Sequence, residues 1–210
     1  MCYDTKNYVA RWVAYPMHTY YTSGDYASET FYQDPAFESS EQITSTYSGS
    51  TYNRGHQIAK AQRKVTYLAR QQSNYYTNMT PQNATLNGGK WATLEEKERG
   101  AWMCSDTLYM VSGCHFDNYN TTVSNNDGKT CPVPTHYFKV MLRTKLGSTG
   151  KAVANCSASE LICAGYWVEN NSSATPALKS VAEIEALTGF TFFANVPNAP
   201  KSSYSASDWE

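Results

Sequence analysis

The 210-residue chain has no C-x-x-C spacing, no acidic residue from 42 to 94, and no apolar run near the ~20 residues that a membrane span needs. Each absence excludes something. Without C-x-x-C, the six cysteines do not outline a zinc ribbon, and disulfides or buried free thiols remain. The start MCYDTKNYVARW lacks the basic-then-apolar layout of a signal peptide, so a secreted, periplasmic or cell-surface location would require a leader outside this chain. No internal repeat or linker divides the sequence. Residues 1–210 are therefore expected to form one domain, and at 41% hydrophobic content it can bury a sizeable core. Charged residues are sparse, at 17%, and a net charge of −1 gives no global pull toward polyanions.

Cysteine usage leans toward an oxidising compartment, because the count is even and the chain is rich in Tyr, Asn, Ser and Thr. Cys104 and Cys114 flank a strand-like run of ten residues at ~3.3 Å each, too far apart to bond. Better pairs are Cys114 with Cys131, closing a polar loop, and Cys156 with Cys163, across SASELI. Cys2 and Cys104 are then left by elimination.

The distribution of charge says more than its sum. Arg54, Lys60, Arg63, Lys64, Arg70 and Lys90 all fall inside the acid-free window, although the chain holds 18 acids in 210 residues. Such a window gives one part of the surface a positive field, the footprint of a polyanion-binding site. The alternative is a solvated basic face with acids brought opposite it in space.

Alternating and β-branched runs predict strands at NYVARWVAYPM, NYYTNMT (ended by Pro81), TLYMVSG, THYFKVMLRT and GYWVEN. Helical patterns fall at KVTYLARQQ, at LNGGKWATLEEKERGAWM and at LKSVAEIEALTGF, the last closed by Gly189. Turns are expected at NDG and GSTG, and residues 17–52 carry few regular signals. The fold class this implies is α+β, with a largely antiparallel sheet flanked by helices.

The window and the residues bracketing it contain the parts of a phosphodiester-cleaving site. His56 suits a general base at neutral pH, and Arg54 offers the planar fork that matches phosphate. Asn78, Asn87 and Glu95 supply hard oxygen donors, which fit Mg²⁺ better than zinc. On a straight helix Asn87 stands two turns before Glu95, ~12 Å away, and Arg99 one turn after it. The ordinary alternative for Glu95 and Arg99 is a solvated i,i+4 ion pair. His18, His115 and His136 read as structural or surface residues; a zinc site from Cys114, His115, Cys131 and His136 matches no common spacing.

NRGHQ, followed by TNMTPQNATLNGGKWATLEEKER, resembles the signature block of the DNA/RNA non-specific endonucleases, the ββα-metal nucleases that include endonuclease G. DTLYMVSG, VPTHYFKV and VAEIEALTGFTFFANVPN are similar to the family's later strands and terminal helix. The resemblance implies a ββα-metal fold and cleavage of DNA and RNA to 5′-phosphate products, mainly through phosphate contacts. It implies His56 as general base, Asn87 as the one direct ligand of a hydrated Mg²⁺ (with Mn²⁺ or Ca²⁺ as substitutes), and Glu95 as holder of its water shell. Arg54 and Arg99 would bind phosphate, and Asn78 would support the site. A homodimer and a protein inhibitor are further partners to consider. Asn53 departs from the family's Asp: it keeps the size and the oxygen but loses a charge near His56 and the metal shell. The expectation is a tuned, active Mg²⁺ nuclease; the alternative is a catalytically weak polyanion-binding module.

Overall fold

The computed structural model describes residues 1–27 and 29–209. Among the described residues ten strands are formed. The first four are β1 (Cys2–Asp4), β2 (Val9–Met17), β3 (Tyr52–His56) and β4 (Met79–Asn83). After them come β5 (Leu108–His115), β6 (Thr122–Ser124), β7 (Thr130–Pro132), β8 (His136–Thr144), β9 (Leu161–Glu169) and β10 (Ala177–Lys179). The helices are α1 (Thr19–Thr22), α2 (Tyr67–Ser73), α3 (Ala84–Leu86), α4 (Ala92–Arg99) and α5 (Val181–Thr188). Among the described residues no helix is long and apolar enough to cross a membrane.

Six strands build one antiparallel sheet in the order β1-β2-β5-β8-β9-β10. Central β8 is buried on both faces, because its alternation serves two cores. Tyr137 and Met141 join a cluster with Leu86, Trp91, Leu94 and Trp102, while Phe138, Val140 and Leu142 join Val181, Ile184 and Phe192 of the α5 side. The sheet is thus a middle layer. The first cluster is closed by Trp209, which is fully buried and whose carbonyl accepts from Trp102 Nε1 at 2.8 Å and Tyr166 OH at 3.2 Å.

The main strand and helix expectations hold: β2, β5, β8, β9, α2 and α5 stand where the patterns put them, and Gly189 ends α5 at φ 72°. Three details differ. The strand read at NYYTNMT begins at Met79 and runs through Pro81, which a two-stranded pairing with β3 tolerates because one edge of each strand is open. The helix expected over residues 86–103 stops at Arg99 and is interrupted by a wide π turn over Asn87–Trp91, with Gly89 at φ −115°, ψ −105°. The third concerns cysteine.

All six cysteines are free thiols, so none of the three expected disulfides is formed. Cys2 pairs with Trp12 at one end of the sheet, whereas Cys104 lies beside Gly147 before β5 begins, at the other end. The Cys114 Sγ donates to Ala10 O at 3.3 Å, and Cys131 Sγ takes up Asn125 Nδ2 at 3.3 Å. The Cys156 Sγ turns to Ala152 O at 3.5 Å. Burial pushes the Cys114, Cys131 and Cys163 thiols up to about 12, so they behave as small core side chains. This removes the disulfide framework as support for an oxidising compartment.

Candidate active site

The tetrad Asn53-Arg54-Gly55-His56 lies on β3, which pairs antiparallel with β4 and leads into α3, the π turn and α4. Gly55 is dictated by this pairing: a Cβ there would stand 2.5 Å from Gln82 Cβ and 3.1 Å from Thr80 O. Only glycine lets β3 approach that closely. Tyr52, Arg54 and His56 share one face of the strand.

A cleft of about 390 Å³ opens on that face and brings together Asn53, Arg54, His56, Asn87 and Glu95. Asn87 and Glu95 do not stand along a straight helix, as the simple spacing predicts. The kink at Gly89 intervenes, and both side chains still line one cleft.

Residues that sequence reasoning missed hold His56 in place. His56 Nε2 lies 3.1 Å from Asn74 Oδ1, and the Asn74 Nδ2 donates to Thr30 O at 3.0 Å. The second bond orients the amide, so Nε2 carries the proton and Nδ1 keeps a free lone pair. Desolvation by the surrounding protein pushes the His56 pKa down to about 4; nearby Lys60, Arg70 and Arg54 push the same way, and the Asn74 bond opposes them. His56 is therefore neutral at physiological pH. Phe31 lies 3.6 Å beneath the Arg54 guanidinium, 5.8 Å from the His56 ring and 6.0 Å from Tyr76. It is a cation–π platform that fixes the fork. The only signal for Asn74 and Phe31 was polar or aromatic character at positions with no periodic context.

Glu95 has its pKa raised to about 7, first by desolvation, with Lys139 and Arg99 pulling it down and Glu98 pushing it up. One turn on, Glu98 is fully buried and pairs with Lys139, also fully buried, at 2.5 Å. Its other oxygen accepts from Tyr15 OH at 2.9 Å and Gln62 Nε2 at 3.0 Å. This pair lashes α4 to β8 and β2 beneath the cleft.

Two expected site residues stand outside the cleft lining. Asn78 is buried beneath the segment after His56: it accepts from Ile58 N at 3.0 Å and donates to Ile58 O at 2.9 Å and Ser73 O at 2.8 Å. Its place in the fold is that of a support, as a buried amide with every group satisfied. Arg99 donates to Gln62 Oε1 at 3.2 Å instead of forming the solvated i,i+4 pair with Glu95.

The acid-free window is neutralised from elsewhere in the chain. Glu29 pairs with Lys60 at 2.5 Å and Arg70 at 3.7 Å, and Asp25 with Lys64 at 3.9 Å. Arg63 turns inward to Pro16 O at 2.8 Å and over the Tyr21 ring. Arg54 and Lys90 carry no ion pair among the described residues.

Asn87 and Glu95 make no side-chain hydrogen bond among the described residues, although both line the cleft. No group of three His, Cys, Asp or Glu side chains there forms a cage for a metal. An amide oxygen and one desolvated carboxylate fit a hard cation that keeps most of its water, and do not fit zinc.

The sequence profile described as DNA/RNA non-specific endonuclease matches residues 1–199. Mitochondrial endonuclease G of Bos taurus is 27% identical over 161 residues, covering 70% of this chain and 52% of that protein. A nuclease of Nostoc sp. is 28% identical over 214 residues, covering 99% of this chain and 76% of its own length. The nuclease of Serratia marcescens is 27% identical over 205 residues, with 92% and 72% covered. The chain thus spans about half the length of the endonuclease G it matches. A chain of the solved EndoG/EndoGI complex superposes with a TM-score of 0.71 at 23% identity, covering 93% of this chain and 83% of that one.

Proposed function

Because this chain belongs to the family of DNA/RNA non-specific endonucleases, we propose that residues 1–210 act as one Mg²⁺-dependent nuclease domain that hydrolyses phosphodiester bonds of DNA and RNA to 5′-phosphate and 3′-hydroxyl products. The observation that carries this reading is the convergence of Arg54, His56, Asn87 and Glu95 on one cleft.

In this reading His56 Nδ1 takes a proton from water as the water oxygen bonds to phosphorus, and the bond to the 3′ oxygen breaks on the opposite side, that oxygen taking a proton from solvent to become the hydroxyl. Asn74 holds the imidazole in the tautomer this needs. Arg54, set on Phe31, donates to the non-bridging oxygens and stabilises their added charge. Asn87 would ligate Mg²⁺ directly and Glu95 through its water shell; when bound, the ion would supply charge stabilisation to the leaving oxygen. Arg99 would act mainly by favouring the ionised form of Glu95. Contacts made mainly to phosphate account for weak sequence preference. The EndoG/EndoGI pairing supports the expectation of a protein inhibitor as a second partner.

A plasmid-nicking assay tests the reading. Cutting is expected with Mg²⁺, absent with chelator, and reduced by at least ~10²-fold in His56→Ala, the contribution of a general base. Cutting that ignores either change overturns the mechanism, and binding without cutting favours a polyanion-binding module. Asn53→Asp should raise the rate less than roughly 10-fold, as a one-charge adjustment to metal and base; a larger rise would mean that Asn53 had disabled the site.

A further inference from the structure

Tyr52 lines a second cavity as well as the cleft. This cavity, of about 300 Å³, is walled by Asn118, Thr121, Thr135, His136, Glu169 and Asn171. It is tied to the hairpin that carries the cleft: Asn170 Oδ1 accepts from Asn83 N at 2.7 Å, and its Nδ2 donates to Pro81 O at 3.1 Å and Pro134 O at 2.9 Å. Asn83 in turn caps α3, one helical turn before Asn87. A strand with its phosphate in the cleft thus has this cavity as its neighbour across Tyr52.

The lining decides what part of a nucleotide would enter. No Lys or Arg lines it, while Glu169 does, and Asp117 stands 3.2 Å from His136 Nδ1. Carboxylates oppose a phosphate there and accept from an amino group. The His136 ring is set rigidly for contact: it stacks on Trp167 at 4.8 Å and its Nδ1 meets Thr135 Oγ1 at 3.1 Å. The volume is at the small end of ligand sites and suits a base without its phosphate. The catalytic reading uses none of the groups in this wall, and Tyr52 only lines the cleft as well.

Resting on the nuclease reading above, we propose that this cavity is a nucleobase subsite, which receives the base adjoining the scissile phosphate and favours adenine, cytosine or guanine over thymine or uracil. Tyr52 lies between the phosphate-handling cleft and this base-handling pocket and lines both.

Two measurements test the proposal. Cleavage positions are mapped on a defined single strand for the wild type, Glu169→Gln and Asn118→Ala. The wild type is expected to cut roughly 2–10-fold more often beside an amino-bearing base, the worth of one hydrogen bond, and Glu169→Gln to reduce the ratio below about 2-fold. The ratio is internal, so it does not depend on overall rate. Separately, cytidine and thymidine are titrated into ¹⁵N-labelled protein while the Trp167 indole resonance is followed; cytidine should shift it and thymidine should not. A flat cleavage ratio in the wild type, or one equally retained in both variants, overturns the subsite, as does the absence of any cytidine-dependent shift. If the wild type cuts no nucleic acid at all, the nuclease reading fails, and the titration alone decides whether the pocket takes a base.

Discussion

At the scale of single residues, two displaced pKa values lead to measurable behaviour. His56 must be unprotonated to accept a proton, and with its pKa lowered to about 4 the rate at saturating Mg²⁺ should hold constant through neutral pH and fall only toward pH 4. Asn74→Asp would place a carboxylate against Nε2, favour the imidazolium, and move that acid limb upward by about one unit or more in a pH–rate profile. Glu95, raised to about 7, is partly protonated at neutral pH, and cation binding favours its ionised form. Mg²⁺ binding at pH 7 should therefore release protons, and affinity should weaken as pH falls below 7; calorimetry in buffers of different ionisation enthalpy measures both. That Arg54, His56, Asn87 and Glu95 would meet in one cleft was legible in the sequence because their residue types and order fall in one motif block. Asn74, Phe31 and the buried Lys139 were not, since each acts through a neighbour remote in sequence: Asn74 through His56, Phe31 through Arg54, Lys139 through Glu98.

Among the secondary-structure elements, α4 depends on a buried ion pair. Removing one partner, as in Lys139→Met, leaves the Glu98 carboxylate enclosed without its countercharge and should cost about 3–5 kcal/mol in urea unfolding, with the double change Lys139→Met and Glu98→Gln recovering part of it. The long strands were readable because alternation over many residues leaves few other assignments, as in β2 and β8. The hairpin of β3 and β4 was not, because each strand has five residues, with polar side chains and a proline. The break in the site helix comes from Gly88 and Gly89, where backbone freedom replaces the side-chain pattern that would have marked a turn.

Across the whole molecule, charge is redistributed by folding. The segment carrying Asp25 and Glu29 crosses the basic window, so the field at the cleft is weaker than the sequence run suggests. Glu29→Gln should lower the KM for DNA at low salt by roughly 2–5-fold, and the difference should fade above ~0.3 M salt as exposed charges are screened; steady-state kinetics across ionic strength would show it. A KM that does not move would mean that Lys60 and Arg70 lie off the path of the phosphates. The acids were invisible beforehand because proximity in space, and not in sequence, pairs them with the lysines.

The closing of the first core by Trp209 also bears on synthesis. The wall against which Trp102 and Tyr166 pack is supplied by a residue that leaves the ribosome 107 positions after Trp102 and 43 after Tyr166. A nascent chain can pair β3 with β4 and still lack the layer that supports α4. In the nuclease reading, competence to cut is thereby expected only after Trp209 has been made, well after the hairpin that carries Arg54 and His56.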